Sequence, residues 1–351
     1  MATTYAIPDG RVAMAATLYT GTLLSNPVSN AVNGVSFQPD LVWLKSRSAA
    51  TSHKLTDSVR GVTKGLVSNS GAAETTDVQG LTAFSSGGFT VGTNTDYNNL
   101  AATYVGWQWK GGGTPVSNTA GSITSSVSAN TTAGFSVVTY TGIAGGVAKT
   151  FGHGLGVSPS MVIVKGRDAG STGTDGWVVW HSAFTGSEYI HLNVTNAKAT
   201  SANYWGATVP SSTVVTVGGN ASNVSNESGI KYVAYCFAAV AGYSAFGSYT
   251  GNGSSDGPFI YTGMRSRYFM VKRTDAVGDW YVFDTSRDPS NATTYGLIPN
   301  NSGTDTSYTG WGDILSNGFK IRRTDGAWNA SGGTYIYYAV AENPFAYANA
   351  R

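Results

Sequence analysis

A single cysteine, Cys236, stands among 351 residues, and this excludes an intramolecular disulfide framework. Charge is scarce as well. The 21 basic and 19 acidic residues leave a formal net charge of +2, which gives no electrostatic footprint for nucleic acid or an anionic membrane. No apolar run reaches the length of about 18 residues that spans a bilayer, so membrane insertion is not expected. Residues Met1 to Tyr5 lack the charged and apolar segments of a signal peptide, and synthesis in a cytoplasm is expected. The four histidines, His53, His153, His181 and His191, are scattered without metal-ligand spacing, so neither a zinc site nor any cofactor is predicted. What the chain does have is 46 glycines, 20 tyrosines, 13 phenylalanines and 9 tryptophans, within a hydrophobic share of 41%. That is too much apolar surface for a solvated coil, and it predicts a folded, turn-rich β protein.

The apolar residues recur in order. Tyr-Thr-Gly appears at Tyr19-Thr20-Gly21, Tyr140-Thr141-Gly142 and Tyr249-Thr250-Gly251. Each copy is followed by an apolar run ending in lysine: Leu41-Val42-Trp43-Leu44-Lys45, Met161-Val162-Ile163-Val164-Lys165 and Tyr268-Phe269-Met270-Val271-Lys272. Each copy closes with an aromatic strand, at Tyr104 to Trp109, Tyr232 to Phe237 and Tyr335 to Val340. One module is used three times. The lysine-terminated runs are apolar at every position, which places them as central strands covered on both faces. The closing strands alternate with a period of two, and Gly-rich turns separate the elements.

The predicted fold is all-β: three tandem antiparallel β-sandwich modules of jelly-roll or concanavalin-like type. Residues 1–113 form module one and 114–133 a linker or edge strand. Residues 134–241 form module two and 242–351 module three. The modules are expected to fold as separate units, with two and three held rigidly together and one more loosely.

Catalytic constellations are not evident. Acidic residues fall at non-equivalent points of the repeat, against the paired carboxylates of a glycosidase. Asp57-Ser58-Val59-Arg60 recurs as Asp284-Thr285-Ser286-Arg287 and becomes His181-Ser182-Ala183-Phe184 in the middle copy. An acid three residues before an arginine predicts a local ion pair or turn brace, not an active site. The segment around Asp305 and Asp313 reads as a solvated loop, lacking the regular spacing of a calcium loop. For ligand or interface contact the aromatic, Asn-rich segments are the candidates, namely Tyr204 and Trp205, Trp311, and Trp328 with Asn329, because sugars are held on aromatic faces. The alternative for the three tryptophans is that they cap the sandwich cores.

Read together, Val35-Ser36-Phe37-Gln38-Pro39-Asp40-Leu41-Val42-Trp43-Leu44-Lys45, Ser86-Gly87-Gly88-Phe89-Thr90-Val91-Gly92 and Tyr104-Val105-Gly106-Trp107-Gln108-Trp109-Lys110 resemble the repeated β modules of tail-fibre and other virion proteins from tailed bacteriophages, marine and freshwater ones especially. The resemblance extends through Gly152-His153-Gly154-Leu155-Gly156 and Gly242-Tyr243-Ser244-Ala245-Phe246 to Asn343-Pro344-Phe345. It implies a non-enzymatic virion structural protein, a tail fibre or tail-associated adhesin presenting loops for host-surface binding. The partners implied are other virion proteins, a host-surface glycan and further copies of the chain, as a homotrimer in a fibre. Two alternatives stand beside this reading: a capsid decoration or cement protein, and a glycan depolymerase with an intersubunit site.

Overall fold

A computed structural model describes residues 6–7, 9–143, 145–168, 176–219 and 225–342. The segments read above at residues 1–5 and 343–345 lie outside them. The architecture is all-β and sandwich-like. In every repeat the closing strand lies between the opening strand and the lysine-terminated strand, antiparallel to both. Thr103–Trp109 pairs with Met14–Thr20 and Leu41–Ser46. Lys231–Phe237 pairs with Phe135–Thr141 and Met161–Gly166, and Thr334–Ala341 pairs with Ser244–Thr250 and Ser266–Arg273. A smaller sheet covers one face of each large sheet. In the first repeat Val42, Leu44 and Tyr104 of the large sheet pack on Val28, Phe89 and Val91 of the small one. In the third, Phe269 stacks on Phe319 with ring centroids 5.0 Å apart.

The other face of each large sheet is covered by the other two repeats. Leu41 and Trp43, Met161 and Ile163, and Tyr268 and Met270 occupy equivalent places and meet around a common axis in one continuous core. They leave a void of about 10 Å³, about the room one water needs. Trp109 sits edge-on to Tyr268 at 5.4 Å and to Phe237 at 6.1 Å, touching both other repeats. The lysine-terminated strands are therefore buried on both faces, as their sequence requires. The expectation of separately folding units, with the first loosely tethered, is corrected by this shared core: one face of each large sheet has no cover within its own sandwich. The chain is a pseudo-threefold prism.

Three seams close the prism head to tail. At the first, Arg60 donates to Asp57 and to Glu74, and Tyr235 of the second repeat donates to Asp57 at 2.8 Å. Arg167 of the second repeat grips Glu74 through two hydrogen bonds. The seam from third to first repeat is its equivalent: Arg287 donates to Asp284 and Asp305, Trp107 Nε1 donates to Asp284 at 2.9 Å, and Arg47 donates to Asp305. Asp305 thus lies in a seam and not in the solvated loop predicted for it. Between second and third repeats His181 and Phe184 replace the acid and the arginine, and Lys198 lies 5.4 Å over the Phe184 ring. One backbone contact is common to all three seams: Glu74 N to Arg167 O, Lys198 N to Thr274 O and Asp305 N to Arg47 O, at 2.8 to 2.9 Å.

One addition breaks the pseudo-symmetry. Val116–Asn118 and Ser125–Asn130, within the segment read as linker or edge strand, form a hairpin that extends the second large sheet beyond Phe135–Thr141.

Candidate functional site

The aromatic segments selected from the sequence are not on the surface. Trp205, Trp311 and Trp328 are at most 1% exposed and Asn329 is fully buried, so none presents a ring face to a ligand. Trp311 stacks on Phe283 at 4.1 Å, and Trp328 packs edge-on to Tyr281 at 4.7 Å. Tyr204 is half-buried against Tyr189. The three tryptophans lie in sandwich cores, the alternative reading of their sequence, and the five residues do not form one site.

Asn329 belongs to a corner built three times. Its side chain accepts from Asn252 N at 2.8 Å and donates to Ser254 O and Arg323 O. Asn98 likewise accepts from Thr22 N and donates to Gly92 O, and Asn226 accepts from Ile143 N and donates to Gly218 O. The Tyr-Thr-Gly signature locks onto this corner. Tyr19, Tyr140 and Tyr249 donate to the carbonyl preceding each asparagine, on Tyr97, Ser225 and Trp328. They stack at 4.8 to 5.1 Å on Tyr104, Tyr232 and Tyr335, whose hydroxyls accept the N–H following it. The glycine is obligatory at Gly142, where a Cβ would lie 2.0 Å from Glu227 O. Aromatic and Asn-rich composition here reports a buried turn whose asparagine side chain is hydrogen-bonded to backbone, while the Trp328 indole N–H beside it has no partner.

The seam carboxylates are committed to structure. Asp57 and Asp284 have their carboxylates bound by arginine, tyrosine and tryptophan donors within the seams. Burial opposes the charge on Glu74, but the hydrogen bonds from Arg167 and Arg60 outweigh it and hold the carboxyl below its ordinary range. Burial lowers all four histidines, His181 to about 4, and pushes the Cys236 thiol up to about 12. Among the described residues no group of three His, Cys, Asp or Glu is placed to hold a metal ion. No helix among them is long and apolar enough to cross a membrane.

The hairpin that breaks the symmetry makes an open groove of about 330 Å³. Its floor follows from strand register. Ser117 lies opposite Ser126, Ser126 opposite Thr139, and Thr141 opposite Lys231. Thr124 and Ser126, like Thr139 and Thr141, are two apart and so share a face. The hydroxyls of Ser117, Thr124, Ser126, Thr139 and Thr141 make no hydrogen bond among the described residues. At the end of the groove the Lys231 side chain is 61% exposed, its ammonium 3.9 Å from Asp168, while its own backbone N–H holds the Asp168 carboxylate at 2.8 Å. Arg167 lines the same end, tied to Glu74. None of these residues was selected from the sequence as a binding residue: Thr141 was read only as part of the Tyr-Thr-Gly signature, and Ser117, Thr124 and Ser126 fall in a Ser/Thr-rich segment that composition alone assigns to a linker.

A second cleft of about 540 Å³ lies at the far end of the hairpin, beside Gln38, Lys110 and Asn130. The Asp40 carboxylate there is already taken by Ser58 Oγ and Gly111 N.

No curated protein and no solved structure matches the chain. A family model does, and it runs through all three repeats as one unit, in keeping with a core that no single repeat completes. Its match over residues 13–344 shows that the chain belongs to the family of the domain of unknown function DUF7483.

Proposed function

We propose that the chain is a non-catalytic structural and binding component of a tailed-phage particle, carried on the tail as an adhesin. One observation supports the reading above others: a single chain builds a closed pseudo-threefold body. Assemblies match symmetry to symmetry, and a body of threefold outline suits the axis of a trimeric fibre without needing three chains. The shared core and buried seams also favour slow unfolding, which a particle component exposed without chaperones requires. The free hydroxyls lie on the outside, where ligand contact can vary without disturbing the core.

Immunogold electron microscopy of particles from the virus encoding this chain tests the proposal. Label at the tail is the expected result. Label distributed over the head assigns the chain to capsid decoration instead, and particles without label overturn the virion reading.

A further inference from the structure

The geometry points to the hydroxyl-lined groove of the second repeat as a binding site for an acidic polysaccharide, a chain of sugars bearing carboxylates. The inference rests on the binding role proposed above and names the ligand class. Five unpartnered hydroxyls line one face across three adjacent strands, where neighbouring side chains stand about 5 Å apart. Each hydroxyl both donates and accepts, which complements a polyol and offers little to an apolar or purely cationic ligand. The length of the row suits an extended chain more than a single ring.

Lys231 sets the charge preference. Its carboxylate neighbour Asp168 is held by a backbone N–H, and the ammonium, at 3.9 Å, makes only a loose pair with it. Arg167 is committed to Glu74 by two hydrogen bonds, so Lys231 is the cation at this end that is both exposed and loosely held. A sugar carboxylate reaching it exchanges a solvent-screened contact for a charge-assisted hydrogen bond. The site is peculiar to the second repeat. The positions equivalent to Thr139 and Lys231 are Leu18 and Thr103 in the first repeat, and Ser248 and Thr334 in the third, by strand register. Among the described residues neither of those repeats carries the hairpin.

The experiment measures binding of the full chain to polygalacturonate, to neutral dextran and to duplex DNA as a polyanion without sugar carboxylates. Polygalacturonate should bind about tenfold more tightly than dextran, the worth of one charge-assisted hydrogen bond, and more tightly than DNA. Lys231→Gln should remove the preference over dextran, and Thr139→Val with Ser126→Ala should weaken polygalacturonate binding several-fold, with circular dichroism confirming that the variants are folded. Equal binding of polygalacturonate and dextran, equal binding of DNA, or an unaltered preference in folded Lys231→Gln would overturn the proposal. Polygalacturonate binding by a chain whose antibodies label no particle would leave the groove standing and remove the virion role.

Discussion

The two seams with a buried Asp-Arg pair and the one without differ in how the chain joins the repeats they hold. Between second and third repeats the connection is short, from Phe237 to Ser244, and the seam is made by His181, Phe184 and Lys198. Between first and second it is long, from Trp109 to Phe135, and between third and first no connection crosses at all. Those are the two seams with a buried Asp-Arg pair, a second carboxylate and an arginine from the neighbour. A short tether fixes the partner at high effective concentration, so packing and isolated hydrogen bonds suffice without a buried Asp-Arg pair. Where the tether is long or absent, a directional network that tolerates only one register does the selecting. Buried ion pairs contribute little net stability but specify geometry, and this distribution fits that use.

The largest expected effect comes from removing the seams altogether. A fragment of residues 1–113 exposes the face carrying Leu41, Trp43, Trp107 and Trp109, and it should lack a cooperative thermal transition and bind a hydrophobic dye. Cooperative unfolding of that fragment would mean the sandwich alone suffices.

Single substitutions sharpen the contrast. Arg287→Met leaves Asp284 buried without its cation and Asp305 with Arg47 alone, and should cost about 3–5 kcal/mol in urea unfolding. Arg60→Met should cost the same, because its surroundings are equivalent. In the seam between second and third repeats His181→Gln should cost less, on the order of 1 kcal/mol, since it exchanges one neutral hydrogen-bonding group for another. A cost for His181→Gln as large as that for Arg287→Met would dissolve the distinction between seam types.

The last effect is pH-dependent. His181 accepts the Ala183 N–H on Nδ1, so its Nε2 carries the proton and donates to Tyr337 O. Burial therefore holds it neutral down to about 4. The unfolded chain takes up that proton near pH 6.5 and the folded chain only near 4, so the stability from a neutral His181 is complete above pH 6.5 and falls as pH drops toward 4. The other histidines are lowered in the same direction. His181→Gln should thus reduce, without abolishing, the acid sensitivity between pH 6.5 and 4 in denaturant titrations. Glu74, lowered from an ordinary value of 4.5, contributes stability that is lost only as pH falls below that value.

The sequence by itself determined the strands and the repeat. Runs such as Leu41 to Leu44 can only be central strands, because an all-apolar strand tolerates water on neither face. The Asp-x-x-Arg brace was legible because it is local, closing within three residues. The candidate binding residues were not legible. Aromatic rings near asparagine look alike whether they line a sugar site or fill a corner, and only the fold shows that Asn329 spends its hydrogen bonds on three backbone groups. The groove was hidden for the complementary reason: Ser117, Ser126, Thr139 and Lys231 are brought together by register across four strands, and nothing in their spacing along the chain reports it. What covers the second face of each central strand was likewise decided only in three dimensions. Sequence states that a face must be buried, but burial is non-directional and any apolar partner satisfies it. Tertiary structure supplied the other two repeats.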